Sequence, residues 1–268
     1  MPKLSIITIN RNNAEGLRKT IESVISQTSK AFEYIVIDGA STDESLEVIK
    51  QYKDKITYWV SEPDKGIYNA MNKGIRQAQG EYCQFLNSGD VLIAKDVIEK
   101  MLFNMPDTSI VIGNMLKSLA NGKIYKDTGS AAKEISMLTF YRGTLNHSPA
   151  FIKRNLFDKY GFYDETLKIV SDMKWYLIAV GLNNETVFYR DIDVTLFDMN
   201  GISTTNTTLD KSERRQVLEA LIPKNVLADY DKYWFAIEQA NRINKYTFIK
   251  FCIRLIERIL FEFEKILR

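Results

Sequence analysis

The sequence contains few cysteines and no long apolar run, and these absences exclude several classes of protein. Its 268 residues include 2 cysteines, Cys83 and Cys252, which lie far apart and predict reduced thiols in a cytosolic protein. No apolar run reaches the roughly 18 residues expected of a membrane-spanning helix. The chain begins almost directly with a predicted strand, so we expect no signal peptide. A net charge of +2 gives no reason to expect a nucleic-acid partner.

Glycine-rich phosphate-binding loops are absent as well. Neither G-x-G-x-x-G nor G-x-x-x-x-G-K-[ST] occurs, which argues against a dinucleotide-binding domain and against a P-loop. The hydrophobic content of 45% and the charged content of 26% are ordinary for a globular protein. The length allows one large domain, or one domain with an appendage.

Strands and helices alternate along residues 1–90. Short apolar or β-branched runs predict strands at 4–9, 32–37, 56–60 and 82–86. Apolar residues at helical spacing predict helices at 15–27 and 67–78, and a capping box at 41–44 predicts a third helix that ends near residue 52. This alternation indicates an α/β fold with a parallel sheet and right-handed crossovers.

Polar clusters follow each of these strands, at 10–13, 38–43, 64–66 and 87–90. Because the carboxyl ends of parallel strands meet at one edge of a sheet, we expect these clusters to form a ligand site there. Asp90 is a carboxylate at this edge, able to hold a divalent metal that in turn holds a diphosphate. The alternative is an ordinary turn that caps the next helix.

The pattern is weaker after residue 95. We predict a helix at 97–103, a strand at 109–113 and a hairpin at 115–129 that turns at Asn121-Gly122. A helix at 172–179, a strand at 186–189 and a flexible loop at 200–208 follow, and the chain is helical from 209 apart from a break near Pro223. We therefore predict a catalytic domain over 1–208, with halves at 1–95 and 96–208, and a helical extension over 209–268.

Four segments carry a family resemblance: SIITINRNN at 5–13, EYIVIDGASTDES at 33–45, SEPDKGIYNAMNKGIRQAQGEY at 61–82 and FLNSGD at 85–90. In this order and spacing, they resemble the family 2 glycosyltransferases of the GT-A fold, notably bacterial enzymes of capsule, O-antigen and exopolysaccharide assembly. The likeness is strong over 1–95 and weaker to about 200, through NHSPAFIKRNLF and IVSDMKW. It implies a three-layer α/β sandwich with a mostly parallel central sheet, to which this chain adds a C-terminal helical extension.

The resemblance also implies an activity. Members of this family transfer a sugar from a nucleotide donor, most often a UDP-sugar, to a hydroxyl of a saccharide or lipid-linked acceptor. The transfer inverts the anomeric carbon and uses Mg²⁺ or Mn²⁺. Such an enzyme is expected in the cytoplasm or at the inner face of the cell membrane.

Three residues at the ends of the first two strands are expected to bind the nucleobase. By resemblance, Thr8 and Asn10 border the base pocket, and Asp38 accepts a hydrogen bond from the base. An ordinary turn role for Asp38, before Gly39, is the alternative.

Five further residues are expected near the rest of the donor. Asp64, Lys65 and Gly66 lie beside the base and ribose by resemblance, and Lys65 either faces a phosphate or is an exposed turn lysine. Asn72 and Lys73, on the following helix, either reach the donor or form a solvated face.

The segment Asn87-Ser88-Gly89-Asp90 stands where the family usually has D-x-D-D. Only the last carboxylate is present, so Asp90 is the expected metal ligand, with Asn87 and Ser88 beside the donor. A hard cation requires anionic oxygen ligands, and the nucleotide diphosphate supplies two, so we expect poor metal affinity without nucleotide. His147 is a further candidate ligand, and it could instead line the acceptor site or be hydrogen-bonded in a wall.

Inversion requires a base that takes a proton from the acceptor hydroxyl. Asp172 occupies the position of the family's acidic motif, with Ser171 in place of the first acid. A helix N-cap is the alternative role for Asp172, and Asp164 or Asp158 would then be substitute bases. Trp175 is more often a core residue than a sugar platform.

Residues 246–268 combine a wide apolar stripe with a basic opposite face. From residue 242 to the end, Lys and Arg exceed Glu by four. This pattern is typical of a helix on an anionic membrane surface, and also of a helix packed on its own domain or on a second subunit.

Two rival functions remain at the level of sequence. The missing acids at Asn87, Gly89 and Ser171 would suit a non-catalytic nucleotide-sugar-binding or scaffold subunit. A nucleotidyltransferase on a similar sheet is the other rival, and the absent glycine-rich loop argues against it.

Overall fold

A computed structural model describes residues 2–118, 123–132, 134–199, 201–243 and 246–267. Its chain divides into two compact units, Met1–Val217 and Leu218–Arg268. The predicted domain boundary after residue 208 stays a prediction. The predicted hairpin turn at Asn121-Gly122 lies outside the described residues, as do Asn200 and the side chains of 262–264 and 266–268.

The first half of the chain forms the predicted parallel sheet. Its strands pair in the order β3-β2-β1-β4, and Leu4 lies opposite both Phe32 and Tyr82. These strands are β1 (Leu4–Asn10), β2 (Phe32–Asp38), β3 (Tyr58–Ser61) and β4 (Tyr82–Phe85). The connecting helices are α1 (Ala14–Ile25), α2 (Ser45–Gln51) and α3 (Ile67–Gln77). The alternation predicted from sequence is therefore confirmed.

The sheet continues with strands from the second half of the chain. These are β5 (Val91–Leu92), β6 (Ile110–Ser118), β7 (Ile124–Asp127), β8 (Ala150–Lys153) and β9 (Val187–Phe197). Strand β8 is inserted antiparallel between β4 and β6, β9 runs parallel to β6, and β7 pairs antiparallel with β6. The result is a mixed sheet, in the order β3-β2-β1-β4-β8-β6-β9-β5, in which β1 to β4 are parallel.

Eight further helices follow in the described part of the chain. They are α4 (Val97–Leu102), α5 (Met137–Arg142), α6 (Asn155–Tyr160), α7 (Ser171–Tyr176), α8 (Ile202–Thr205), α9 (Thr207–Leu221), α10 (Lys224–Ile243) and α11 (Thr247–Leu267). A π-helical segment, Leu177–Leu182, follows α7 directly. Among the described helices, none has the length and apolar character needed to cross a bilayer.

Three predicted details are wrong. Helix α2 begins at Ser45 without a side-chain cap, because Ser41 donates instead to Asp38 at 2.6 Å. The predicted loop at 200–208 contains α8 and the start of α9, and β9 is far longer than the predicted strand at 186–189. Strand β9 pairs with β6 from Val187 to Phe197, well beyond the residues predicted from sequence.

The core of the first unit lies between the sheet and its helices. Helix α1 buries Leu17, Ile21 and Val24, the face predicted from its apolar spacing. Helix α3 packs very closely on β1, since a Cβ on Gly74 would lie 2.4 Å from Ile7 Cγ2. This close approach holds α3 against β1.

Candidate active site

A cavity of about 390 Å³ lies beyond the end of β4, within the first unit. It is lined by the start of α3, the turn after β4, the segment before β8, the start of α7 and the end of β9. Its polar lining includes Asn87, Ser88, Asp90, His147, Asp172 and Asp198. The structure thus brings together residues that are far apart in sequence.

The turn that carries Asp90 is anchored to α1. Thr20 accepts a hydrogen bond from the Gly89 amide at 3.0 Å and donates one to the Asp90 carbonyl at 2.8 Å. Asn13 donates to the Ser88 carbonyl at 3.1 Å. Gly89 has a φ of +106°, a backbone conformation that glycine adopts without strain. These contacts hold the turn in place before any ligand arrives.

The Asp90 carboxylate is buried, with an exposed fraction of 2%. Its Oδ1 accepts a hydrogen bond from the Asp198 amide at 2.8 Å, while its Oδ2 has no partner among the described residues. Burial raises the pKa of Asp90 to about 7, although the Asp198 amide and the charge of His147 act in the opposite direction. An unpartnered buried carboxylate oxygen is costly unless a cation or donor group occupies the site.

Asp172 is held by two side chains. His147 Nδ1 lies 3.5 Å from Asp172 Oδ2, and the Tyr68 hydroxyl lies 3.1 Å from Asp172 Oδ1. The Tyr68 hydroxyl also contacts the Ile169 carbonyl, and its single hydrogen can serve only one of these acceptors at a time. Asp172 lies in the first turn of α7, whose N-cap position is Val170. The N-cap alternative for Asp172 is therefore wrong.

Asp172 and His147 shift each other's pKa. Burial acts to raise the pKa of Asp172, but the contacts with His147 and Tyr68 outweigh it and leave that pKa below its ordinary value. Burial acts to lower the pKa of His147, but Asp172 and the charge of Asp90 outweigh it and leave that pKa above its ordinary value. Asp172 is consequently ionised near neutral pH, as a proton acceptor must be.

A divalent cation fits this cavity on the chemistry of its unpartnered atoms. Asp90 Oδ2, His147 Nε2 and Asn87 Oδ1 are all buried and lack a hydrogen-bond partner in the described part of the chain. Carboxylate oxygen, imidazole nitrogen and amide oxygen are ligands that Mn²⁺ accepts, and the oxygens suit Mg²⁺. No group of three or more His, Cys, Asp or Glu capable of holding a metal occurs among the described residues. The chain therefore offers a partial ligand set that a diphosphate would complete.

The residues expected to bind the base lie at the ends of β1 and β2 and do not line this cavity. Asp38 is fully buried and accepts four hydrogen bonds, from Asn10 Nδ2 at 2.8 Å, Ser41 Oγ at 2.6 Å, Ser41 N at 2.9 Å and Ser61 Oγ at 2.7 Å. Because a carboxylate accepts about four hydrogen bonds, a nucleobase that binds Asp38 would have to replace the hydroxyl of Ser41 or Ser61. Thr8 is buried and accepts a hydrogen bond from Tyr34 at 3.0 Å.

The turn at 64–66 lies against the turn after β2. A Cβ on Gly39 would lie 2.1 Å from Asp64 Oδ2, so a larger residue at position 39 would require the Asp64 side chain to move. Asp64 accepts a hydrogen bond from the Gly66 amide at 2.9 Å, and Gly66 has a φ of +122°, which favours glycine. Lys65 is exposed in this turn.

Asn72 and Lys73 do not line the cavity. Asn72 is buried, and its amide exchanges hydrogen bonds with the Tyr163 backbone at 2.9 and 3.0 Å, so a solvated-face role is wrong for it. Lys73 contacts Glu62 at 2.8 Å and the Pro63 carbonyl at 2.9 Å. Both side chains thus tie α3 to neighbouring segments.

The substitute bases also lie outside the cavity lining. Asp164 contacts Lys174 Nζ at 2.6 Å, and Asp158 is exposed on α6. Trp175 is buried, with its ring centroid 4.8 Å from that of Phe157, as expected for a core residue.

Sequence reasoning missed Tyr68 and Asp198. Tyr68 belongs to the segment 61–82 that carries the family resemblance, so its position offered a signal. Asp198 offered none, since its backbone amide makes the contact with Asp90 and any residue type has one.

Comparison with known structures identifies the fold. The fold matches that of S. aureus TarS 1–349 in complex with UDP-GlcNAc, with a TM-score of 0.66 and 18% identity over 81% of this chain. The chain spans 64% of that TarS chain. It also matches the mannosyltransferase PcManGT from Pyrobaculum calidifontis in complex with GDP-Man and Mn²⁺, with a TM-score of 0.60 and 16% identity, covering 80% of this chain and 61% of that one. The architecture is the GT-A fold of glycosyltransferases.

Sequence comparison then gives the family. The model described as glycosyl transferase family 2 matches residues 5–164. An uncharacterized glycosyltransferase of Mycobacterium tuberculosis is 31% identical over 207 residues, which cover 75% of this chain and 77% of that protein. A "PGL/p-HBAD biosynthesis glycosyltransferase" of Mycobacterium bovis is 27% identical over 219 residues, which cover 78% of this chain and 82% of that protein. The chain belongs to glycosyltransferase family 2, and the predicted family and enzyme class are confirmed.

Proposed function

We propose that this protein is an inverting, metal-dependent glycosyltransferase that moves a sugar from a UDP-sugar to a hydroxyl of a saccharide or lipid-linked acceptor. The observation that carries the proposal is one cavity lined by both an ionised Asp172 and a buried, unpartnered Asp90 oxygen. Proton abstraction and diphosphate departure require these two kinds of group close together.

Asp172 is the base in this proposal. Its carboxylate accepts the proton of the acceptor hydroxyl as that oxygen attacks the anomeric carbon. Tyr68 and His147 orient the carboxylate through their contacts at 3.1 and 3.5 Å. Both contacts also favour its charged form.

Asp90, His147 and Asn87 would hold the cation together with the donor diphosphate. When bound, the cation supplies neutralisation of the charge that develops on the departing diphosphate. Asp90 Oδ2 and His147 Nε2 are buried without a hydrogen-bond partner in the described part of the chain, and both residues line the cavity together with Ser88.

The donor is proposed to extend from the cavity toward the ends of β1 and β2, with its base near Thr8, Asn10 and Asp38. Asp64, Lys65 and Gly66 would border the ribose and phosphates. The TarS complexes with UDP-GlcNAc and UDP support a uridine donor, and the GDP-Man complex of PcManGT supports guanosine as the alternative. Asn72 and Lys73 support this region indirectly, through α3.

The acceptor and pathway belong to the same proposal. The relative named for PGL/p-HBAD biosynthesis supports a biosynthetic role, and the proposed products are capsule, O-antigen or exopolysaccharide repeats. The proposed location is the cytoplasm or the inner face of the cell membrane.

Calorimetric titration tests the donor site. UDP, GDP and CDP are titrated with and without Mn²⁺ into the wild type, Asp90→Ala and a control, Asp96→Ala, whose carboxylate contacts Lys100 outside the cavity. We expect UDP binding that requires both Mn²⁺ and Asp90 and is unchanged in the control. UDP binding that is unchanged without Mn²⁺ and in Asp90→Ala would contradict the metal role. Absence of nucleotide binding would contradict the donor site.

A non-catalytic nucleotide-sugar-binding subunit is the second candidate, favoured by the partial ligand set and by Ser171 in place of an acid. A donor and acceptor screen separates the two candidates. Turnover that disappears in Asp172→Asn supports the enzyme, whereas tight donor binding without turnover across a broad acceptor panel supports the binding subunit.

A further inference from the structure

Helix α11 presents an unusual amount of apolar surface to solvent. Phe248 is 77% exposed and Phe251 is 65% exposed. Further large apolar side chains of the same helix are exposed as well, namely Ile249, Leu255, Ile256, Ile259, Leu260 and Phe261. Globular proteins seldom leave a contiguous apolar surface of this kind without a binding role.

The apolar side of α11 is broad. At 3.6 residues per turn, Phe251, Leu255 and Ile259 form one row, and Phe248 and Ile256 lie beside it, so that apolar residues cover more than half of the circumference. A coiled-coil seam uses a narrower stripe at two positions of each heptad. The breadth of the apolar side therefore favours a planar apolar phase over a single partner helix.

Three cations form a row on the other side of the helix. Lys250, Arg254 and Arg258 follow at intervals of four residues, and none of them forms an ion pair within the described part of the chain. Glu257 is the one acidic residue between 246 and 261, and over the whole helix, Thr247–Leu267, four Lys or Arg stand against three Glu, so the positive charge is concentrated in its first two thirds. Long basic side chains reach past an apolar surface to phosphate groups, which makes this side complementary to anionic headgroups.

We propose that α11 binds the surface of a bilayer containing anionic phospholipid. Its apolar side enters the boundary between headgroups and acyl chains, while Lys250, Arg254 and Arg258 contact lipid phosphates. The helix lies in the plane of the interface and does not cross the bilayer, in agreement with its charged side. Membrane binding would bring the active site close to lipid-linked acceptors. Only this consequence rests on the proposed function.

Vesicle co-sedimentation of the full chain tests the inference. The probes are phosphatidylcholine vesicles with and without phosphatidylglycerol, at low and high salt. We expect binding to the anionic vesicles that salt weakens, and at least about tenfold weaker binding after Lys250→Gln/Arg254→Gln/Arg258→Gln. Leu255→Asp/Ile259→Asp is expected to abolish binding to either vesicle.

A matched control is available on the neighbouring helix α10. Phe235 is also exposed there. Phe235→Asp therefore tests whether loss of any exposed apolar side chain weakens vesicle binding. We expect this variant to bind vesicles like the wild type. Light scattering without lipid reports the oligomeric state. A dimer that Leu255→Asp/Ile259→Asp dissociates, without vesicle binding by the wild type, would overturn the proposal in favour of a second copy of the chain. Equal vesicle binding by wild type and Leu255→Asp/Ile259→Asp would also overturn it.

UDP titration of the same variants keeps the two proposals separate. Variants of α11 change no residue of the cavity, so they should bind UDP and Mn²⁺ like the wild type. Loss of vesicle binding with intact UDP binding concerns α11 alone. Vesicle binding by a wild type that binds no nucleotide would contradict only the proposed function.

Discussion

His147 Nδ1 lies 3.5 Å from Asp172 Oδ2, which couples the segment before β8 to the first turn of α7. The other nitrogen of His147 is buried and has no partner among the described residues, and the ring interacts electrostatically with Asp90. His147 therefore connects the two carboxylates on which the proposed chemistry depends. A change at either carboxylate should alter the electrostatics of the other.

Replacing the proposed base should stop transfer without loss of donor binding. Asp172→Asn removes the proton acceptor, and general-base catalysis contributes about 10²–10⁴-fold to rate. We expect kcat to fall by about that factor while UDP affinity, measured by calorimetry, changes little. Asp164→Asn is the control, because Asp164 contacts Lys174 outside the cavity, and its kcat should stay near the wild-type value. Normal turnover by Asp172→Asn would exclude the base assignment.

Removing the Tyr68 hydroxyl should shift the pH dependence of transfer. The Tyr68 contact lowers the pKa of Asp172, so Tyr68→Phe raises that pKa toward its ordinary value or above it. The base must be deprotonated to act, so the acid limb of the kcat profile should move to higher pH. If the acid limb of the kcat profile stays at the same pH and only the plateau value of kcat falls, Tyr68 acts only by packing.

Replacing Asp90 should separate stability from activity. We expect Asp90→Asn to lower transfer at least about a hundredfold, because charge stabilisation at the departing diphosphate is lost. Burial raises the pKa of Asp90 to about 7. Ionisation of Asp90 therefore destabilises the folded protein, and this loss of stability develops as pH rises from the pKa of Asp90 in the unfolded chain to about 7. In metal-free protein at pH 8, Asp90→Asn should therefore unfold at the same temperature as the wild type or at a higher one. A marked fall in melting temperature would indicate that the carboxylate stabilises the fold.

Glu185 should contribute stability that depends on pH. Burial acts to raise its pKa, but bonds from Lys159 at 2.7 Å, Tyr160 at 2.6 Å and Ser109 outweigh it and lower the pKa to about 2. A lowered pKa means that the stabilisation is complete above about pH 4.5 and is lost as pH falls toward 2. We expect Glu185→Gln to reduce the free energy of unfolding by about 1–3 kcal/mol at pH 7 and by little near pH 2.

Glu81→Gln provides the matched comparison for Glu185. Glu81 contacts Lys3 at 2.6 Å, but both side chains are largely exposed, so the pair should contribute less than about 1 kcal/mol. Urea unfolding across this pH range measures both variants. A pH-independent effect of Glu185→Gln would contradict the electrostatic origin of its stabilisation.

The sequence by itself determined the parallel half of the fold and the segments that carry the site. Apolar periodicity fixes which residues of 1–90 are buried, and the polar turns after each strand then share one edge. Asp90 could be located in this way because its strand and its turn are local features. The family resemblance supplied Asp172 and His147 as candidates, but not their mutual contact.

Only the tertiary structure decided how these candidates combine. Tyr68 and Asp172 are 104 positions apart, and Asp198 and Asp90 are 108 positions apart, so local patterns carry no information about either contact. The antiparallel insertion of β8 beside β4 brings the His147 segment to the cavity, and it depends on pairing energies summed over several strands. The burial of Asn72 was likewise settled by packing, because a polar residue on a helix becomes buried when another segment offers it hydrogen bonds, as the Tyr163 backbone does here.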